Sequence, residues 1–407
     1  MYKTKFILFS TALIFVLSSC DFGVDNPGPI QDNQLSNEDA LQSLVVGIAS
    51  DLSYGMAGGR GGEPGGVVYA GGILSRDIYD AGVFEAERLY HRGEVRNDLA
   101  DDPWNRMHTA KFAANDAISR MEDVLGDEAS QNPQYLRTHI WKGFVHRQMG
   151  ENFCVAVLED GEPQENTVHF EVAEQAFTKA IDLAESQGNP QAIAQDADLL
   201  EVAYAGRAQV RLALENFEGA MSDAGKVSDD HRFDAIFSSN STRENNYLNY
   251  NTFRRSYFTA WGTFAEGQQI NNSDPRVNWV DLEETGADGE TPMLQQQKYT
   301  SIGDNIPLSK GEEMRLIEAE VMLHNGNISS AMEKINYVRE LFNLSPKEAD
   351  SMDEAWSILR QERNLTLWME GRRLWDLRRF DDPFLQGRDS CIPPGQQEIN
   401  TNPNIDS

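Results

Sequence analysis

The chain has 407 residues, with 65 Asp and Glu against 35 Lys and Arg and a formal net charge of -30 at pH 7. That balance excludes nucleic acid and anionic membrane surfaces as partners, because both are held by clustered cations that displace counterions. Hydrophobic residues make up 40% of the chain, enough for a sizeable core, and three cysteines are too few for a disulfide-dense scaffold.

Lys3 and Lys5 precede an apolar run, Phe6 to Leu17, that ends in Leu17-Ser18-Ser19-Cys20. A bilayer-spanning helix needs about 20 apolar residues, so this shorter run fits a secretory signal instead. The Leu-Ser-Ser-Cys ending resembles the lipobox of bacterial lipoproteins. The expectation is a signal peptide over 1–20, lipid attached at Cys20, and an Asp-, Asn-, Pro- and Gly-rich tether over 21–34. The lipid, not a helix, would then hold the protein to its membrane. The stretch 53–72 carries nine glycines but no following Gly-Lys-Ser/Thr, so it is not a phosphate-cradling loop and reads as flexible connection.

Beyond residue 100 the apolar spacing is helical. Trp104, Met107, Ala110, Ala114, Ala117, Ile118 and Met121 step by three and four, and 135–149 and 172–184 repeat the pattern. Segments 199–214 and 217–227 form a close pair in which small residues (Ala203, Gly206, Ala208, Ala220, Ala224) let two antiparallel helices approach. Segments 314–323 and 328–342 repeat it, with Ala319 and Ala331 in equivalent roles. Such pairs look like tetratricopeptide hairpins, which must stack to bury their faces. A long amphipathic helix is expected over 352–374. The fold class is therefore mostly α, one domain over 35–407, with hairpins at about 101–231 and 312–380. An irregular, loop-rich lobe with a few short strands is expected at about 232–311.

Cys154 and Cys391 lie 237 positions apart. Export would place them in an oxidising compartment. Either they form one bridge, pinning the C-terminal tail to the loop after the 135–150 helix, or they are two buried thiols.

Motifs of catalysis are missing. Seven histidines are scattered without a His-Glu-x-x-His spacing, and there is no Cys-x-x-Cys pair and no Gly-x-Ser-x-Gly elbow. No Asp-x-Asp-x-Asp-Gly calcium loop is present. No enzyme activity, metal or cofactor is expected. The aromatics say more. A pyranose has an apolar face that stacks on an aromatic plane, while Asn, Asp and Arg bond its hydroxyls. Two polar, aromatic segments lie outside the hairpins, 76–92 and 247–280. Between them Tyr79, Tyr90, Tyr257, Trp261 and Trp279 would stack, and Asp77, Arg92 and Asn251 would bond hydroxyls. The alternative is that these aromatics form the core of the small lobe.

The C-terminal third carries a resemblance. Gly311-Glu312-Glu313-Met314-Arg315-Leu316 leads to Ala331-Met332-Glu333-Lys334-Ile335-Asn336. Then come Glu362-Arg363 and Glu370-Gly371-Arg372-Arg373-Leu374-Trp375-Asp376-Leu377-Arg378-Arg379. The tail closes with Ile392-Pro393-Pro394 and Asn402-Pro403-Asn404. This ordered set resembles the SusD/RagB family of outer-membrane nutrient-binding lipoproteins, and Trp104, Asn115 and Ile118 match its usual Trp, Asn, Ile helix. The resemblance implies a surface lipoprotein that captures a nutrient, a glycan or oligosaccharide, for a SusC-like TonB-dependent barrel. The competing expectation is a lipid-anchored tetratricopeptide scaffold that binds proteins. Glu362, Arg363, Glu370, Arg372 and Arg373, with Glu318 and Glu320, are expected to form an ion-pair lattice that orients helices.

Overall fold

Apolar spacing becomes helix almost wherever it occurs. A computed structural model of the chain describes residues 35–60, 63–159, 161–189, 197–272 and 274–405. The signal segment, Cys20 and the 21–34 tether lie outside the described residues. The helices in chain order are α1 (Leu41–Ala57), α2 (Val67–Leu74), α3 (Glu85–Arg92), α4 (Asn97–Leu125), α5 (Pro133–Asn152), α6 (Thr167–Gln187), α7 (Leu199–Ala213) and α8 (Phe217–Ala224). They continue as α9 (Tyr247–Phe253), α10 (Phe264–Asn272), α11 (Gly311–His324), α12 (Ile328–Leu341), α13 (Met352–Thr366), α14 (Arg373–Arg379) and α15 (Gln396–Thr401). The strands are short and pair in twos: β1 (Gly59–Arg60) with β2 (Glu63–Pro64), β3 (Tyr79–Asp80) with β7 (Phe258–Thr259), and β4 (Val155–Ala156) with β5 (Gln164–Glu165). Likewise β6 (Arg232–Ala235) pairs with β10 (Ile306–Lys310), and β8 (Trp279–Thr285) with β9 (Pro292–Gln296), all antiparallel.

Local signals set the helix ends. Asn132 accepts from the Gln134 N–H ahead of Pro133 in α5, Asp198 accepts from the Leu200 and Glu201 N–H groups of α7, and Asn327 and Ser351 cap α12 and α13. The hairpin turns use left-handed residues, Glu215 (φ 58°) between α7 and α8 and Gly326 (φ 77°) between α11 and α12. The close approach inferred from small residues has a specific cause. A Cβ on Gly206 of α7 would lie 2.3 Å from the Phe177 ring, and one on Gly143 of α5 would lie 2.6 Å from it. Two glycines on neighbouring helices make room for one phenylalanine of α6. A large core runs from α1 through α8 into the lobe, and a smaller cluster (Leu316, Ala319, Leu323, Ala331, Ile335, Val338, Ala355, Leu359) joins α11 to α12 and α13. The fold is mostly helical, with tetratricopeptide-like hairpins and few strands.

Two expectations need correction. The 53–72 glycine stretch is helix at both ends, 53–57 in α1 and 67–72 in α2, so the connection expected there is shorter than the glycine run. Its glycines serve contact: a Cβ on Gly55 would lie 2.7 Å from the Met107 sulfur of α4. The helix expected over 352–374 breaks after Thr366, where Met369 (φ 58°) and Gly371 (φ 77°) turn the chain before α14.

That break spreads the ion-pair lattice over several elements. Glu362 receives Arg276 (2.7 Å), Arg339 (2.5 Å) and Lys347 (3.1 Å). Glu370 receives Lys298 and Lys310 (2.6 and 2.7 Å). Arg363 bonds Asp376 (2.9 Å), Arg372 bonds Glu151 and Glu313 (2.9 and 2.5 Å), and Arg379 bonds Glu320. Glu318 pairs with Arg315 and Lys334. Arg373 stands apart, donating to the Ser75 carbonyl. Cys154 and Cys391 are bonded, with Cα atoms 5.0 Å apart, and the adjoining Phe153–Ile392 bridge ties the tail to the end of α5.

Candidate functional site

The β3–β7 ladder joins the two segments singled out by their polar aromatics. Tyr79 lies opposite Thr259 and Asp80 opposite Phe258. Side chains alternate across a strand. Phe258 turns into the core against Tyr69, ring centroids 4.6 Å apart, while Tyr79, Tyr257 and Trp261 remain partly exposed. Beyond β7 the chain reverses through Ala260–Thr263. The Trp261 N–H donates to Thr259 Oγ1 (3.1 Å), and the Thr263 hydroxyl donates to the Ala260 carbonyl (2.6 Å). Gly262 has φ 68°, and a Cβ there would lie 2.7 Å from the Tyr79 ring, so this turn needs glycine twice over. Glu266 secures it by accepting the Gly262 N–H (2.8 Å).

The turn sets the Trp261 ring edge-on to Tyr79, centroids 4.9 Å apart and planes at 77°. His91 of α3 meets Tyr79 at 4.2 Å, and the Arg76 guanidinium lies 5.2 Å from the same ring. Tyr257 contacts Phe84 edge-on at 5.5 Å, with Arg255 5.3 Å from its ring. Extended chain advances about 3.3 Å per residue, so Tyr257 and Trp261 stand at most roughly 13 Å apart along it. The result is two aromatic pairs on one ladder, with cations beside each.

Other expected site residues have different places. Asp77 is buried, its Oδ2 accepting the Met369 N–H at 2.8 Å, and its backbone carbonyl accepts the Trp368 indole N–H at 3.0 Å. Burial pushes its carboxyl up to about 7, against the pull of Arg373 and the Met369 bond. Tyr90 is buried and donates to the Leu99 carbonyl (2.5 Å). Asn251 is fully buried in α9, and Trp279 is buried with its indole N–H on the Ala265 carbonyl (3.2 Å). Packing occupies these four, and none reaches the face where a sugar ring could lie. Arg92 is exposed at the end of α3. The ladder thus gathers Tyr79, Tyr257 and Trp261 and leaves Asp77, Tyr90, Asn251 and Trp279 inside.

Residues not singled out by sequence complete the face: Arg76, Phe84, His91, Arg255 and Arg388. The first four lie within or beside the two aromatic segments. Arg388 comes from the C-terminal tail, donating to the Leu74 and His91 carbonyls (both 3.0 Å), and no local pattern marks it. A second groove of about 340 Å³, between α1, α5 and β6, is mostly apolar, with Val45, Val46, Trp141 and Phe233 on its walls, and lies apart from the β3–β7 ladder. Among the described residues no cluster of His, Cys, Asp and Glu could hold a metal ion, and no helix is long and apolar enough to cross a membrane.

Residues 229–407 match the model of the SusD family. That match bears out the resemblance read from the C-terminal third. Solved structures agree on the fold. Surface glycan-binding protein A from Bacteroides thetaiotaomicron, determined with laminarihexaose, superposes with a TM-score of 0.71 at 14% identity, over 90% of this chain and 98% of that one. A SusD-like carbohydrate-binding protein from Bacteroides vulgatus gives 0.65 at 14% identity, over 84% and 83%. Surface glycan-binding protein A from Bacteroides uniformis gives 0.67 at 14% identity, over 90% and 98%. No curated protein matches the sequence.

Proposed function

We propose that this SusD-family chain is a lipid-anchored cell-surface protein that captures a glycan and delivers it to a SusC-like TonB-dependent barrel of the outer membrane, with no reaction of its own. The observation that carries the reading is the Tyr79–Trp261 pair, held partly exposed by a glycine turn beside cationic side chains. Aromatic planes at fixed angles offer stacking surfaces for sugar rings, and their cost in lost rotamer freedom is already met by the turn. The fold it shares with solved glycan-binding proteins supports the same reading. Cys20 at the lipobox-like ending supports the anchor, and the family supports the barrel partner.

Copurification of the tagged, lipidated protein from its own outer membrane in mild detergent tests the partnership. A stoichiometric large β-barrel is expected. Recovery of soluble periplasmic proteins alone would overturn it in favour of a protein-binding scaffold.

A further inference from the structure

We propose that the Tyr79–Trp261 face takes an anionic oligosaccharide, one bearing carboxylate or sulfate groups, and that Arg76 and Arg388 hold its charge. The inference rests on the glycan-capture reading and deepens it.

The argument starts from partners that are missing. In a chain of net charge -30, guanidinium groups packed against the protein, wholly or in part, should commonly find a carboxylate. Around His91 none does. Arg388 donates only to the Leu74 and His91 carbonyls, Arg92 only to the Arg88 carbonyl, and the Arg76 guanidinium has no hydrogen-bond partner among the described residues. Three buried nitrogens, Arg76 Nε, His91 Nδ1 and Arg388 Nε, have none either. The charges that act on these groups are chiefly one another. Burial first, and then Arg76, Arg388 and Arg92, push the His91 imidazole down to about 4. Burial also lowers Arg76 and Arg388, the latter with Arg76 adding repulsion.

Acids close in sequence or space are engaged elsewhere. Asp389 accepts the Val95 N–H (2.7 Å), Glu266 accepts the Gly262 N–H (2.8 Å), and Asp77 lies buried toward Arg373 and Lys298. The cluster therefore holds positive charge and unused donors at the edge of an aromatic face. An arginine fork matches carboxylate and sulfate oxygens in pairs, and partial desolvation strengthens such bonds. A sugar ring stacked on Trp261 would meet Tyr79 edge-on, with the Arg76 guanidinium 5.2 Å from the Tyr79 ring to receive a charged substituent. Strong negative charge over the rest of the protein would repel such a ligand from other surfaces, leaving this cluster as its favoured place.

The test begins with the full mature protein on an array of neutral, uronate-bearing and sulfated oligosaccharides. Calorimetry follows on matched pairs: an oligogalacturonate against its methyl ester, and a sulfated oligosaccharide against its desulfated form. The acidic member of at least one pair is expected to bind at least tenfold more tightly, about 1.4 kcal/mol, with the advantage shrinking in high salt. The pair that shows it identifies carboxylate or sulfate. Arg76→Gln should erase the preference at nearly unchanged melting temperature, since its guanidinium makes no hydrogen bond and stands 5.2 Å from the Tyr79 ring, and Arg76→Lys should restore part of it. Arg388→Gln loses two backbone bonds and is the less decisive variant. Neutral sugars that bind as well as acidic ones, or a preference that survives in Arg76→Gln, would overturn the inference and leave glycan capture standing. An array with no binding to any sugar would overturn both.

Discussion

Two sets of arginines in this molecule live under opposite rules. Arg276, Arg363, Arg372 and Arg379 are buried or nearly so, and each faces at least one carboxylate at hydrogen-bond distance. Arg76, Arg92 and Arg388 face none among the described residues. The first set joins α5, α11, α13, α14, the turn before α14 and the 274–277 turn of the lobe, so its charges are consumed in holding these elements together. The second set sits beside rings that the β3–β7 ladder leaves partly exposed. Paired buried charge orients a fold. Unpaired charge at a partly open face remains available to something outside it.

The contrast breaks most easily at Glu362. It is fully buried and accepts three cations, so Glu362→Ala leaves Arg339 without its carboxylate and Arg276 with Asp274 alone. Removing one partner of a buried pair costs about 3–5 kcal/mol, and thermal unfolding should show a collapsed midpoint. Ligand binding should fall only in proportion to the folded fraction. A well-folded Glu362→Ala protein that has lost its ligand would place the lattice in the binding site and erase the distinction.

The disulfide links the two arginine sets mechanically. Cys391 lies three positions beyond Arg388 and is bonded to Cys154 after α5. Replacing both cysteines by serine should cost about 2–4 kcal/mol, read as a lower denaturation midpoint. If the tail positions Arg388, the same variant should bind an acidic sugar more weakly while retaining neutral-sugar binding. Equal loss for both sugars would mean that the tail supports the whole face.

Acid tests the interior. Burial holds His91 and His231 down to about 4 and His139 and His169 down to about 3, and pushes His108 and His146 well below the ordinary value. Below about pH 6.5 the unfolded chain protonates these imidazoles while the folded chain does not, so stability falls as pH drops toward 4. Asp77, raised to about 7, and Asp80, raised to about 6, act oppositely, because the folded state keeps their protons and loses that advantage as pH rises through the same range. Histidines outnumber these carboxyls. Unfolding free energy should therefore fall between pH 6.5 and 4.5, by about 1.4 kcal/mol per pH unit for each net proton, read as a lower melting temperature. A flat profile would show that the imidazoles are solvated in the folded state.

Much of the helical half was legible in the sequence because its evidence is periodic. The stripe from Trp104 to Met121 reports α4 directly, and the small residues of α7 and α8 report their approach. The helical ends of the glycine stretch were not legible, since composition cannot separate a glycine that lets a chain flex from one pressed against Met107. The face was half legible. Tyr79, Tyr257 and Trp261 stood out by type and surroundings. So did Asp77, Tyr90, Asn251 and Trp279, and only the register of two-residue strands and the packing beneath them decide which side chains turn outward. Arg388 was out of reach, because its approach to His91 is made by the tertiary path of the tail.

The smallest change tests the face most directly. Trp261 is partly exposed, its contact with Tyr79 is edge-on, and its backbone is held by Thr259 and the Gly262 turn and not by its own ring. Trp261→Ala should leave the midpoint nearly unchanged. It removes one stacking plane, and affinity should weaken at least tenfold, about 1.4 kcal/mol, for neutral and acidic sugars alike. Arg76→Gln should weaken acidic sugars alone. The two variants thus separate ring from charge in one set of titrations. If Trp261→Ala binds with unchanged affinity, the sugar does not lie on this ring, and the unpaired arginines must be read without an aromatic platform beside them.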